Sequence, residues 1–159
     1  MTIRQVEAPE EKACICNGVL RALPSWFGVE ASIVDYVEKT QGMPFWAAFD
    51  GDAPVGFVAL KAHTPYAAEV CVMGVLRAYH RQGIGKALIK CCEAHCIECA
   101  MAYLTVKTLD ESGESESYDK TRRFYMAMGF RPLEVFPLYW DADNPCLLMA
   151  KHLPERKEG

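Results

Sequence analysis

Apolar residues along this chain recur at helix-like and strand-like intervals in alternating segments. A first helix is indicated at Pro9, which is followed by Glu10 and Glu11 in the favoured first turn, and a last helix ends at Gly129, which suits a left-handed cap. Helices are predicted at about 9–23, 31–39, 86–100 and 118–128. Strands are predicted at 2–6, 45–49, 55–62, 68–75, 102–107, 132–140 and 146–152. The pattern predicts an α/β or α+β sandwich around a sheet of six or seven strands.

Length and composition fit one globular domain. The chain has 159 residues, of which 51% are hydrophobic and 24% charged, enough to bury a proper core. We expect a single domain over 1–159, with its core at about 2–152 and a disordered tail at 153–159. The net charge is −4 without a basic face or arm, which argues against nucleic acid as a partner. No segment reaches membrane-spanning length and the chain starts with a strand, so we expect a cytoplasmic protein without a membrane partner.

Eight cysteines raise the question of a disulfide framework or a metal site. Without an export signal a reducing compartment is the default, so disulfides are not expected. The segment Cys91–Cys99 contains a C-x-x-C pair with two more cysteines and a histidine, which also suits zinc. It lies inside a predicted helix, where Cys92, Cys96 and Cys99 share one apolar face, and this spacing predicts a buried stripe. No metal is therefore expected, and a metal or redox module built on Cys91–Cys99 is kept as an alternative.

The segment 70–87 carries the strongest functional signal. An apolar strand ends, a short polar turn holds Gly83 and Gly85, and a helix begins at once. A helix N-terminus presents unpaired N–H groups and partial positive charge, which suit a phosphate or pyrophosphate. Glycines let such a ligand approach the backbone closely. The turn therefore predicts a phosphate-bearing cofactor near residues 81–87.

Two common nucleotide-binding motifs do not fit this turn. A P-loop would need a glycine at position 80 and Ser or Thr at position 87, where the chain has His80 and Ala87. A dinucleotide fingerprint would need a third glycine where Leu88 stands, and an acid at the end of the next strand, which ends in Lys107. Neither motif accounts for the turn.

Two segments together resemble a known family. The turn from His80 to Gly85 is similar to the pattern Arg or Gln, two residues, Gly, one residue, Gly or Ala. The segment 121–130 ends in Phe-Tyr, three residues and Gly-Phe, like a late helix and turn. Both patterns, in this order, resemble those of the GNAT N-acetyltransferase superfamily, and the resemblance covers roughly residues 2–152. It implies the GNAT fold, with about four helices around a mixed central sheet, and transfer of an acetyl group from acetyl-CoA to an amine.

The resemblance also implies where acetyl-CoA binds. Backbone groups of Met73 and Val75 would meet the pantetheine arm, and the amide near Met73 would donate to the thioester carbonyl. Tyr118 stands where many members have an asparagine that contacts the cofactor. His80 replaces the first Arg or Gln and would bind phosphate more weakly, or is only a solvated turn residue. The N–H groups expected to hold the pyrophosphate belong to Arg81, Gln82, Gly83, Ile84, Gly85 and Lys86.

The resemblance implies direct attack of the amine on the thioester in a ternary complex. Tyr125 matches the family tyrosine whose hydroxyl points at the cofactor sulfur, which makes it the candidate general acid for the leaving thiolate. Glu69 lies fourteen residues before Gly83, the spacing of a catalytic glutamate in histone-type members. Because an ordinary amine of pKa about 10.4 is mostly protonated at neutral pH, Glu69 is expected either to accept a proton or to orient a cationic acceptor.

The acceptor site is expected in the parts that the family determines least. Trp26, Phe27, Tyr139 and Trp140 are candidate aromatic walls for an amine on an apolar or cationic body, although plain core packing remains the alternative for Trp26 in particular. The acceptor is expected to be a small-molecule or peptide amine. A non-catalytic acyl-CoA sensor on the same fold stays open as a second function, and so does a homodimer.

Overall fold

The computed structural model describes residues 1–157, and within this range the chain forms seven β-strands and four α-helices. The helices are α1 (Pro9–Arg21), α2 (Glu30–Lys39), α3 (Ile84–Glu98) and α4 (Glu116–Ala127). The strands are β1 (Thr2–Gln5), β2 (Phe45–Asp50), β3 (Ala53–Thr64), β4 (Ala67–Val75), β5 (Tyr103–Leu109), β6 (Arg131–Asp141) and β7 (Asn144–His152). They form one sheet in the order β1-β2-β3-β4-β5-β7-β6. The predicted α/β class with a mixed sheet of six or seven strands is confirmed.

The chain is organised as two compact units, the first of which comprises residues 1–61 and 70–94. Its core is apolar and includes the stacked rings of Phe45 and Phe57, whose centroids are 5.1 Å apart. Gly74 allows α1 to pack closely on β4, because a Cβ there would lie 3.0 Å from Val19 Cγ1 and 3.1 Å from Leu23 Cδ1. Trp26, Phe27 and Tyr36 are partly buried against this core.

The second unit comprises residues 62–69 and the chain from His95 onward. Its strands β5, β7 and β6 pair antiparallel over a long register, in which Val106 lies opposite Met149. Leu153 is buried at 2% exposure and donates its N–H to the Ala102 carbonyl oxygen. The buried residues of this unit therefore include Leu153. Of the tail predicted at 153–159, residues 158 and 159 lie outside the described residues.

Most cysteines of the predicted α3 face are buried, as expected. Cys92 and Cys96 are fully buried, but Cys99 is exposed, which corrects the prediction for that residue. The reason is that α3 ends at Glu98, so Cys99 no longer follows the helical face. Within residues 1–157, no three His, Cys, Asp or Glu side chains are grouped so that they could hold a metal ion. In the same range, no helix is both long enough and apolar enough to span a membrane.

Candidate active site

The turn between β4 and α3 has an unusual backbone. After the 3₁₀ turn Arg77–Tyr79, both Arg81 and Gly83 adopt positive φ angles of 64° and 78°. A non-glycine residue in this region costs free energy and is often found where the backbone serves a ligand. The Gln82 side chain donates to the Ala78 carbonyl oxygen at 3.4 Å, which supports the turn. The chain therefore holds a defined concave turn directly before the helix.

This turn leaves a row of backbone donors free of helical acceptors. The first hydrogen bond of α3 runs from the Ala87 N–H to the Gly83 carbonyl oxygen at 3.0 Å. The N–H groups of Ile84, Gly85 and Lys86 precede it and have no acceptor within the helix. A Cβ built at Gly83 would have no atom within 4 Å, so the space over the turn is open. Since Arg81 and Lys86 are also exposed, the turn fits a phosphate group.

His80 ties the turn to the end of β4 through its side chain. Its Nε2 lies 2.6 Å from the Val75 carbonyl oxygen, and because a carbonyl only accepts, Nε2 carries the proton. The Trp26 ring meets the His80 ring edge-on at 5.8 Å between centroids, and the Arg77 guanidinium lies 5.7 Å from the Trp26 centroid. His80 thus bonds the end of β4, engages one of the backbone groups expected to meet pantetheine, and places Trp26 beside the turn.

Strand β4 presents two different faces. Ala68, Val70, Val72 and Gly74 are buried, whereas the residues between them are only half-buried. Because side chains alternate along a strand, Met73 and Val75 lie on the more open face of the part of β4 that belongs to the first unit. Glu69, at the end of the second unit's part of β4, is likewise half-buried.

Glu69 is the centre of a charged cluster in the second unit. Its Oε1 accepts from Lys107 Nζ at 2.8 Å and lies 2.6 Å from His63 Nε2. Burial lowers the pKa of Lys107, but the hydrogen bond and the charge of Glu69 outweigh it, and the pKa is raised overall. The Lys107 ammonium also lies 5.4 Å from the centroid of the Tyr139 ring. Lys107 is thus held as a cation beside the carboxylate.

Tyr125 lies on α4 in an aromatic cluster. Its side chain is 5% exposed, and its ring centroid lies 5.3 Å from that of Phe124 and 5.4 Å from that of Phe130. Gly129 follows with a φ of 98°, as the predicted left-handed cap requires. Tyr118 lies in the first turn of the same helix, where burial raises the pKa of its phenol. Both tyrosines of the predicted cofactor site therefore project from one helix.

The candidate acceptor aromatics fall into two separate groups. In the first unit the Phe27 ring packs edge-on against Tyr36 at 6.2 Å. In the second unit Tyr139 and Trp140 are 59% and 44% exposed, and their centroids are 6.1 Å apart. Tyr139 lies beside the Glu69 cluster, through Lys107.

His63 and Lys107 are not among the residues predicted from sequence to form the site. His63 lies near the end of β3, six residues before Glu69 and across the turn at 65 and 66. This short hairpin spacing could have predicted that the two side chains lie close together. Lys107 comes thirty-eight residues after Glu69. Their pairing depends on β5 lying next to β4 in the sheet, which local pattern does not predict.

Comparison with known proteins defines the class to which this fold and turn belong. The chain is an acyltransferase with the GNAT fold. Residues 41–132 match the family model of the acetyltransferase (GNAT) domain, and the chain belongs to that family. It is also similar to the uncharacterized N-acetyltransferase YsnE of Bacillus subtilis, with 28% identity over 117 residues that cover 72% of this chain and 75% of the relative.

Solved structures agree on the fold. A GNAT-family protein from Desulfovibrio desulfuricans has a TM-score of 0.81 at 19% identity, covering 96% of this chain and 99% of that one. An aminoglycoside 6'-N-acetyltransferase in complex with coenzyme A has a TM-score of 0.76 at 19% identity, covering 99% and 100%. At such identities the likeness concerns the fold alone. The expected family and fold are confirmed.

Proposed function

We propose that this chain transfers the acetyl group of acetyl-CoA to a primary amine of a small molecule or peptide. The observation that carries the proposal is the turn at 80–86, which lies inside the family match. It combines two positive φ angles with open space over Gly83 and with N–H groups free of helical acceptors. These are the features that a pyrophosphate needs.

We propose a division of labour in cofactor binding. The N–H groups from Arg81 to Lys86 hold the pyrophosphate, with the cationic side chains at either end of that range adding charge. Met73 and Val75 meet the pantetheine arm through their backbone, although the carbonyl of Val75 is already engaged by His80. The coenzyme A complex of the aminoglycoside 6'-N-acetyltransferase, which shares this fold, supports the choice of cofactor.

The proposed chemistry is direct attack of the amine on the thioester. The amine nitrogen forms a bond to the carbonyl carbon, the carbon–sulfur bond breaks, and the departing sulfur takes the proton of the Tyr125 hydroxyl. The attacking nitrogen loses one proton, which passes to Glu69 where Glu69 acts as the base, or to solvent water where Glu69 only orients the amine. The protons exchanged by the enzyme are restored from solvent.

The acceptor is proposed as a small amine with an apolar or cationic body. The aromatic side chains of Trp26, Phe27, Tyr139 and Trp140 are the candidate walls. The fold shared with an aminoglycoside acetyltransferase supports a small-molecule acceptor. We place the reaction in the cytoplasm, a reducing compartment in which cysteines stay thiols.

The test is calorimetric titration of the reduced protein with acetyl-CoA, followed by thiol release with four amines. The probes are tobramycin, spermidine, tyramine and a peptide with a single lysine, and product mass identifies the acetylated amine. We expect one-to-one binding in the micromolar range and acetylation of at least one probe class. Absence of binding would contradict the proposed cofactor site, and tight binding without turnover of any amine would favour the acyl-CoA sensor.

A further inference from the structure

Glu69 is poorly placed to take a proton from an incoming amine. Its side chain is only 12% exposed, and His63 Nε2 and Lys107 Nζ converge on the same oxygen, Oε1. The His63 side chain, which lies against that oxygen, is 37% exposed. An amine approaching from solvent therefore has freer access to the imidazole of His63 than to the carboxylate of Glu69.

The contacts of Glu69 also determine which nitrogen of His63 carries the proton. The Lys107 ammonium donates to Glu69 Oε1 at 2.8 Å in a charge-assisted hydrogen bond, in which the carboxylate is the acceptor. Such a carboxylate only accepts hydrogen bonds, so His63 Nε2 must donate the bond of 2.6 Å. In the neutral imidazole the proton on Nε2 leaves the lone pair on Nδ1. His63 is therefore fixed in the tautomer that a base requires.

We propose that His63 is the general base of acetyl transfer and that Glu69 is the residue that positions it. Lys107 holds the Glu69 carboxylate in place from the other side. The inference rests on the proposed acetyl transfer and resolves the two roles left open for Glu69. The carboxylate orients the imidazole instead of accepting the proton itself.

In the proposed acetyl transfer, every bond broken and every proton released has a defined destination. As the neutral amine nitrogen bonds to the thioester carbon, one of its protons passes to His63 Nδ1, and the ring becomes an imidazolium. The carbon–sulfur bond breaks and the sulfur takes the proton of the Tyr125 hydroxyl. The products are an amide and the free thiol of coenzyme A. The imidazolium then returns its proton, through solvent, to the phenolate of Tyr125.

The first test is the substitution His63→Gln, measured with the best acceptor among the four probe amines. A glutamine amide still donates to Glu69 but accepts no proton, so a merely structural role would be preserved. Because general base catalysis typically contributes ~10²–10⁴-fold, we expect kcat/KM at pH 7 to fall by about 100-fold. The acid limb of the pH profile should disappear, and acetyl-CoA affinity should change less than about twofold.

His152→Gln is the matched control, because His152 is another exposed histidine of the same unit and contacts Tyr103 instead of Glu69. It should retain wild-type turnover. A His63→Gln variant with near wild-type kcat/KM and an intact acid limb would overturn the inference. So would a Glu69→Gln variant that loses all turnover while His63→Gln keeps it, since Glu69 would then be the base.

The positioning role of Glu69 has a readout that does not depend on turnover. Long-range proton–nitrogen NMR spectra should report neutral His63 with its proton on Nε2 in the wild type. Glu69→Gln should remove this strict preference and lower kcat/KM by about 10-fold while leaving an acid limb, as expected for a residue that acts through the base. A wild-type proton on Nδ1 would overturn the dyad.

The pH profile has to be interpreted with the charges around His63. Glu69 on β4 contacts His63 directly and Lys107 on β5 contacts the same carboxylate, while the phenol of Tyr139 on β6 lies against Lys107. Lys61 precedes His63 by two positions on β3. Failure of the underlying function would be visible in the wild type, as absent acetyl-CoA binding and absent turnover, and would overturn the inference with it. Failure of the inference alone leaves wild-type turnover intact and appears only in the variants.

Discussion

Tyr125 illustrates how much of the proposed chemistry depends on single atoms. Its ring is nearly completely buried between Phe124 and Phe130, so the ring packs the unit whether or not the hydroxyl has a role. Removing the oxygen alone therefore separates the two contributions. A phenylalanine keeps the ring contacts and removes the hydroxyl group, and with it the proton that the leaving sulfur would take.

We expect Tyr125→Phe to lower kcat by about 10²-fold, because general acid catalysis contributes roughly this much, while acetyl-CoA affinity stays within about twofold. Steady-state kinetics and calorimetry measure the two quantities. Tyr103→Phe is the matched control, since Tyr103 is a half-exposed tyrosine of the same unit that contacts His152. Equal rates for Tyr125→Phe and wild type across the pH range would contradict the acid role, provided that product release is not limiting.

Residue roles could be proposed from the sequence where a local motif names the position, and they stay predictions. Tyr125 and Gly83 belong to contiguous patterns, so their sequence positions carried the signal. The partners of Glu69 do not, because Lys107 reaches it only through the pairing of strands distant in sequence. His80 was expected at the phosphate or in solvent, and its bond to the Val75 carbonyl depends on a turn geometry that the sequence alone does not specify.

At the scale of elements, the strand, turn and helix around Gly83 form one strand–turn–helix motif. The strand supplies a half-buried face, the positive φ angles reverse the chain, and the helix presents its first N–H groups. The turn requires that position 83 carries no side chain. The turn is therefore most sensitive to a substitution that adds both bulk and negative charge.

We expect Gly83→Asp to weaken acetyl-CoA binding at least 100-fold, because the carboxylate would occupy the open space over the N–H groups and repel the pyrophosphate. A non-glycine residue in the left-handed region also costs roughly 1–2 kcal/mol of stability. Gly51→Asp shares that cost, since Gly51 has a φ of 61° and equally open surroundings in the β2–β3 turn. Calorimetry of both variants isolates the effect on binding, and unchanged affinity in Gly83→Asp would refute the phosphate site.

Element positions were predicted closely, but element ends were not. The predicted start of α3 at residue 86 is two residues late, because the helix begins at Ile84, directly after the glycine turn. The predicted end of α3 at residue 100 lies two residues beyond the observed end at Glu98. For this reason Cys99 was expected on the buried face of the helix, although it is exposed. Such ends depend on backbone conformation, here the positive φ of 59° at Ala100, which alanine does not signal.

At the scale of the whole molecule, buried ionisable groups link stability to pH. The pKa of the Cys16 thiol is raised from 9.0 to about 11, mainly by burial. A hydrogen bond with Thr40 lowers this pKa, and the neighbouring Cys71 raises it further. Burial likewise raises the pKa of Tyr118, Cys91 and Cys146. All four groups are neutral when protonated, so folding favours the protonated form in each case.

The sign of the pH dependence follows directly from Cys16. Below pH 9 the Cys16 thiol is protonated in the folded and the unfolded chain, and it adds nothing to the pH dependence of the free energy of unfolding. Between pH 9 and about 11 the unfolded chain has lost a proton that the folded chain retains. The free energy of unfolding therefore falls as pH rises. Denaturant titrations at several pH values should record this fall. Cys16→Ala should flatten it, whatever its cavity costs in absolute stability, whereas Cys14→Ala should leave it unchanged, because Cys14 is exposed. Identical slopes in the wild type and Cys16→Ala would mean that the loss arises at Tyr118 and the other buried groups instead.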